Sequence, residues 1–211
     1  MKITKFDHST ILLEKEGEKI IFDPVEITHA LPKLEGIIAI IITHRHGDHC
    51  QPEVIKRIMA DNPNAKILTT NDNLANFTEF DSDPVNDGET KQIGKFKLSF
   101  FGKYHAFILP GVILCENTGV IIDDTIINPG DSFDTPPIKA PILLVPFCAP
   151  WCKTSEVVNY ISKVRPQTAI PVHDALLSDF GQGITYNVVN GACEKIGTTL
   201  KYLRPGEAMD C

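Results

Sequence analysis

Apolar residues recur along this chain with two periods, and the changes between them mark out its elements. Short runs with strand-like patterning at 3–6, 10–13 and 19–22 open the chain, with Glu16-Gly17-Glu18 as the turn between the last two. They predict a β-meander. The run Gly36-Ile-Ile-Ala-Ile-Ile-Ile42 is almost purely aliphatic and reads as a buried strand. Pro52 suits the first turn of a helix over 52–60, and 66–69 returns as a strand. Further strands are predicted at 96–102, 108–115, 118–122, 125–127 and 142–145, then a helix over 154–164 and a strand at 168–172. A helix near 187–196 and a strand at 200–203 follow. Each half therefore runs from hairpins into a strand-helix-strand unit. That order suits an α/β fold of the αββα sandwich type, two mixed β-sheets packed together and flanked by helices.

Composition narrows the picture. A chain of 211 residues with 43% hydrophobic content can bury one sizeable core, so a single domain over 1–211 is expected. The stretch Thr135-Pro-Pro-Ile-Lys-Ala-Pro141 reads as a loop within it and not as a linker. A formal net charge of -7 argues against a nucleic-acid partner, because phosphate backbones are bound by clustered Lys and Arg. The opening MKITKFDHSTILLEKEGEK is broken by charges every few residues and lacks the apolar core of a signal peptide, and no stretch approaches transmembrane length. A cytoplasmic protein with no membrane partner is expected, with a homo-oligomer left open. The six cysteines at 50, 115, 148, 152, 193 and 211 show no paired zinc-finger spacing, and free thiols are expected.

Candidate chemistry begins where the aliphatic run ends, in THRHGDHC, residues 43–50. His44, His46, Asp48 and His49 are spaced by two, two and one, which no single helix face can present together. They belong to a loop leaving a strand. Such a loop can turn alternate side chains inward, so that His44 and His46 meet one ion while Asp48 and His49 wrap around a second. Neutral imidazole and carboxylate are ligands that first-row divalent metals accept. One His-x-His would read as a polar turn, but four ligand-type residues in six favour metal.

These residues resemble the metallo-β-lactamase fold hydrolases, whose hallmark is Thr/Ser-His-x-His-x-Asp-His at the end of a strand. The resemblance extends through Asp23 in Ile20-Ile-Phe-Asp23-Pro24, His105 in Gly102-Lys-Tyr-His105, Asp131 in Ile126-Ile-Asn-Pro-Gly130-Asp131 and His173 in Ala169-Ile-Pro-Val-His173. Phe6-Asp7-His8-Ser9, Pro146-Phe-Cys-Ala-Pro-Trp151 and Pro171-Val-His-Asp174 are most similar to the branch related to the ascorbate-6-phosphate lactonase. Asp7 departs from that branch, which usually has Gly there. The resemblance implies that His44, His46 and His105 hold a first metal, that Asp48, His49 and His173 hold a second, and that Asp131 bridges. It implies a role for Asp23 behind the ligand loop, orienting a metal-bound imidazole.

A dinuclear metal-dependent hydrolase is the function this implies, with two divalent ions, Zn or Mn foremost and Fe also accepted. Two ions, two aspartates and a metal-bridging hydroxide leave about +1 facing the cleft, which suits a small anionic substrate such as a lactone, phosphodiester or other ester. Asp48 is expected to matter for catalysis itself, because losing that hydroxide removes both nucleophile and electrostatic stabilisation. The alternative is a non-catalytic, metal-dependent sensor of an anionic metabolite. His8 and His29 read as structural or exposed, His8 with a secondary supporting option, and Asp174 as a helix cap. Cys148 and Cys152 fit apolar packing, Trp151 fits either the cleft or the core, and Cys50 fits a competing ligand better than a nucleophile.

Overall fold

A computed structural model describes all residues, 1–211. The chain forms β1 (Lys2–Lys5), β2 (Ile11–Lys15), β3 (Glu18–Phe22), β4 (Ile37–Ile41), α1 (Pro52–Asp61), β5 (Lys66–Thr69) and β6 (Ser82–Pro84). It continues with β7 (Thr90–Ile93), β8 (Phe96–Phe101), β9 (Gly119–Ile122), β10 (Ile126–Asn128), β11 (Ile142–Pro146), α2 (Thr154–Val164), β12 (Thr168–Val172), α3 (Asp179–Ile196), β13 (Thr199–Leu200) and β14 (Ala208–Asp210). Two seven-stranded sheets result, ordered β14-β1-β2-β3-β4-β5-β6 and β13-β12-β11-β10-β9-β8-β7. Both are mixed. The meander β1 to β3 is antiparallel and passes into parallel β3 to β6, while antiparallel β7 to β10 passes into parallel β10 to β13.

Period-two alternation divides the strands between two cores. Ile11, Leu13, Ile20, Phe22, Ala39 and Ile41 face the opposite sheet, whereas Leu12, Ile21 and Ile40 face the layer that holds α1. Because central strands are covered on both sides, they read as unbroken aliphatic runs. Helix α1 closes its layer with Val54, Ile55, Ile58 and Met59, and α2 closes the other with Val157, Tyr160, Ile161 and Val164. These spacings place each set on one helical face. The outcome is the αββα sandwich the pattern suggests.

Three expectations are corrected. The strand predicted at 108–115 is a loop, because Pro110 lacks an N–H donor and Gly111 turns the backbone at φ 88°. Helix α3 starts at Asp179, eight residues before 187, capped by the Ser178 hydroxyl, which accepts from the Gly181 N–H. The last predicted strand, 200–203, shrinks to β13. No helix is long and apolar enough to cross a membrane.

Candidate metal centre

Parallel strands in both sheets deliver their carboxyl ends to one edge, where ligands gather in open α/β sheets. Asp23 follows β3, the loop 43–50 follows β4, Asp131 follows β10 and His173 follows β12. His105 arrives from the loop after β8, its N–H donating to the Cys115 carbonyl at 3.0 Å. Gly130 is needed beside Asp131: its φ is 60°, and a Cβ there would collide with Asn117 Oδ1 and lie 2.9 Å from Thr43 Cβ. Asn117 fastens the same turn, accepting from the Asp131 N–H at 2.9 Å and donating to the Pro129 carbonyl at 3.0 Å.

All seven sequence-derived ligand candidates meet. His44, His46 and His105 form one group and Asp48, His49 and His173 another, with the ligand atoms of each group within 4.8 Å of one another. Asp131 lies between them. Its Oδ1 is 3.2 Å from His49 Nε2, and its Oδ2 is 3.0 Å from His173 Nε2 and 3.3 Å from His105 Nε2. Asp23 sits behind, fully buried, its Oδ2 accepting from His49 Nδ1 at 2.8 Å and its Oδ1 accepting from the Thr43 N–H at 2.7 Å. Three residues outside the candidate ligand set also lie here. Trp151 Nε1 donates to Asp131 Oδ2 at 3.0 Å, Cys115 Sγ lies 3.5 Å from His46 Nε2, and His8 Nε2 lies 3.5 Å from Asp48 Oδ2. The sequence left both Trp151, the sole tryptophan and placed after a strand, and His8 as open options, whereas nothing in it pointed to Cys115.

Hydrogen bonds determine which ring nitrogen each histidine turns inward. Nδ1 of His49 meets a carboxylate, and Nδ1 of His105 and of His173 meet the Ala106 and Cys148 carbonyls, both at 2.6 Å. Those partners only accept, so each Nδ1 carries the proton. Thr43 uses its one hydroxyl proton on Asp23 Oδ2 at 2.8 Å, so it accepts from His44 Nδ1 at 3.1 Å. Nε2 is therefore the atom each of the four rings turns inward, and in the neutral ring it carries the lone pair. The Nε2 atoms of His8, His44, His49 and His173, together with Asp131 Oδ1 and Ser9 Oγ, are buried without a hydrogen-bond partner. Leaving one such atom unpaired costs about 1–3 kcal/mol, and several in one place call for a ligand. A divalent cation fits this donor set, because neutral imidazoles and carboxylates present lone pairs toward it.

The electrostatics favour positive charge at this point, carried by the rings themselves when no cation takes their protons' place. Burial would push His49 down, yet the Asp131 and Asp23 carboxylates hold it well above the ordinary imidazole value. Burial also opposes charge on His173, but Asp131 and Asp48 raise it to about 9. Asp131 is buried, which would raise it, and the surrounding histidines hold it well below the ordinary carboxylate value. Positive charge is thus favoured between the two carboxylates. Burial drives His44 well below its usual value, leaving it a neutral donor. Backbone conformation is unusual here too, since His8, Asp23 and His173 take positive φ of 54°, 43° and 57°. Such strain gathers at functional sites.

Other candidates fall away from the centre. Burial pushes the Cys50 thiol up to about 11, and its Sγ contacts Asn73, so no thiolate nucleophile forms there. Burial likewise takes Cys115 up to about 11. His29 is mostly exposed and pairs with Asp7 at 2.8 Å. Asp174 does not cap a helix but pairs with buried Lys5 at 3.0 Å. The departure at Asp7 has a use: its carboxylate accepts from the N–H groups of Ile27, Thr28 and His29 at 3.1, 2.6 and 2.7 Å and so closes the loop after Asp23.

Residues 2–173 match the family model described as Beta-lactamase superfamily domain. Protein Rv0786c of Mycobacterium tuberculosis is 31% identical over 191 residues, covering 88% of this chain and 90% of that one. A UPF0173 metal-dependent hydrolase of Carboxydothermus hydrogenoformans is 25% identical, covering 98% of each chain. Igni18, a metallo hydrolase of Ignicoccus hospitalis, shares the fold with a TM-score of 0.75 at 20% identity, covering 99% of this chain and 97% of that one. With the family model spanning most of the chain and the fold and donor set in agreement, this chain belongs to the metallo-β-lactamase superfamily and is one of its metal-dependent hydrolases.

Proposed function

We propose that the chain is a single-domain dinuclear hydrolase acting on a small anionic ester, with lactones and phosphodiesters as the first candidates. His44, His46 and His105 would hold one ion, Asp48, His49 and His173 the other, and Asp131 would contact both, with Asp23 orienting His49. The observation that carries this reading is the convergence of partnerless Nε2 atoms on Asp131, which itself touches members of both groups. Two divalent ions held there, Zn or Mn before Fe, would supply an acidified water near neutral pH and polarisation of a substrate oxygen. The chain's own part is orientation. Asp23 and the Ala106 and Cys148 carbonyls hold three imidazoles by their Nδ1–H groups, so that every lone pair points at the same space without reorganisation. Trp151 Nε1 donates to Asp131 Oδ2 and so helps to hold that carboxylate.

Elemental analysis joined to a panel of lactone, phosphodiester and carboxylic ester substrates tests the reading. About two ions per chain are expected, and Asp131→Ala should lower both occupancy and turnover, the latter by roughly two to three orders of magnitude. Cys50→Ser should keep most activity. One ion per chain at saturating metal, with Asp131→Ala unaffected, would sink the dinuclear reading. A loaded chain that turned over nothing yet bound an anionic metabolite tightly would be a sensor.

A further inference from the structure

By distance, and by an Nε2 that is buried without a hydrogen-bond partner, His8 belongs to the second metal group, because His8, Asp48, His49 and His173 bring their ligand atoms within 4.8 Å of one another. Its hydrogen bonding says otherwise. The Ala175 N–H donates to His8 Nδ1 at 3.4 Å, and a backbone N–H cannot accept, so the Nδ1 lone pair is taken and the proton sits on Nε2. A protonated ring nitrogen has no lone pair for a cation. This is the reverse of His44, His49, His105 and His173, whose Nδ1 atoms donate.

The reversed tautomer is held in place. His8 is 1% exposed, lies at φ 54°, and its carbonyl accepts from the His173 N–H at 3.1 Å, while the two rings approach to 3.8 Å between centroids. Turning the ring over would face the Ala175 N–H with a carbon and leave it without its acceptor. Asp48 lacks comparable support. Its side chain is 42% exposed, and the groups beside its Oδ2 are the Nε2 atoms of His8 and His173, each at 3.5 Å. If His173 spends its Nε2 lone pair on a cation, it has no proton to offer Asp48, and the Nε2–H of His8 is the donor that remains.

We infer that His8 is a positioning residue that donates through Nε2–H to Asp48 and is not itself a metal ligand. This rests on the reading of Asp48 and His173 as ligands. A ligating carboxylate that is itself hydrogen-bonded keeps its geometry, and losing such an outer partner typically weakens metal binding by about 10–100-fold.

The experiment uses the full-length, zinc-loaded protein labelled with 15N-histidine. Long-range 1H–15N correlation should show a buried histidine, separate from exposed His29, with its only ring proton on Nε2, and that signal should vanish in His8→Phe. His8→Phe should still bind two zinc ions per chain, with the weaker one held about 10–100-fold less tightly, and His8→Gln, which restores an N–H at similar reach, should recover most of the loss. A His8 proton on Nδ1 in the wild type would overturn the inference even if no variant folds. So would one zinc ion fewer in both variants, or unchanged zinc affinity in His8→Phe. A wild-type chain that never takes up two zinc ions would instead defeat the parent reading, leaving the tautomer measurement to judge His8 separately.

Discussion

Two buried polar clusters meet at His8. On one side lie His44, His49, His173 and Asp131, whose inward atoms have no protein partner. On the other lie Lys5, Asp174 and Asp7, equally buried but fully engaged. Lys5 Nζ donates to Asp174 Oδ1 at 3.0 Å and to the Phe6 carbonyl at 3.3 Å, and Asp7 accepts from three backbone N–H groups, the Thr28 hydroxyl and His29. A cavity of about 860 Å³ opens over this second cluster, with Lys5 and Asp174 among its lining residues and Tyr186, Tyr202 and Arg204 beside them. Both clusters are dense in charge and buried, so density and burial do not distinguish them. The difference is whether the partners are already present. A cluster whose hydrogen bonds close on themselves holds the chain together, and one whose inward polar atoms lack protein partners suits a cation.

The contrast predicts opposite responses to substitution. The largest effect should come from Lys5→Met, which strands Asp174 in the interior and should cost roughly 3–5 kcal/mol in chemical denaturation. Adding Asp174→Asn should recover part of that loss, and zinc stoichiometry should stay at the wild-type value in any folded fraction. If Lys5→Met spared stability but abolished zinc binding, the two clusters would be one site. Asp23→Asn should show the reverse pattern, because it replaces the carboxylate that orients His49. Zinc affinity should fall about 10–100-fold, or about 1.4–2.8 kcal/mol, and competition with a chelator measures it.

Asp7→Asn should have the smallest effect, and its pH dependence sharpens the comparison. Burial would raise this carboxyl, but the hydrogen bonds from His29 and Thr28 hold it well below its ordinary 3.8. A folded-state value below the unfolded one means the stabilisation is fully present above 3.8 and is lost as pH falls through the lowered value. Asn removes that dependence, so the variant should lose about 1–2 kcal/mol near neutral pH and track the wild type more closely as acid is added. Denaturant titrations from about pH 7 down to about pH 3 would show the gap narrowing. A gap that widened toward acid would reverse the assignment.

How much of this was legible in the sequence depended on the range of the forces involved. The aliphatic run before Thr43 and the alternation of Ile20, Ile21 and Phe22 are local patterns, and the sheets they imply are present. Strands β6 and β14 escaped notice because Ser82-Asp-Pro84 and Ala208-Met-Asp210 carry no apolar period, and their pairing is decided by the edges they meet. Gly181 and Gly183 obscured the start of α3. Residues 108–115 failed the other way, since apolar composition alone cannot say whether a neighbouring edge exists.

The sequence by itself determined the four ligand-type residues of 43–50, because a loop after a buried strand has to place them close together. It also pointed to His105, Asp131 and His173 as candidates, though only through their match to a family pattern, since nothing local distinguishes a ligand histidine from any other. Tertiary structure alone decided the rest. Trp151 reaches Asp131, and Lys5 finds Asp174, 169 residues away. His8 acquires its reversed tautomer from the amide of Ala175, 167 residues distant. Which ring nitrogen holds a proton depends on the single partner that burial leaves within reach, and that partner exists only once both sheets have closed.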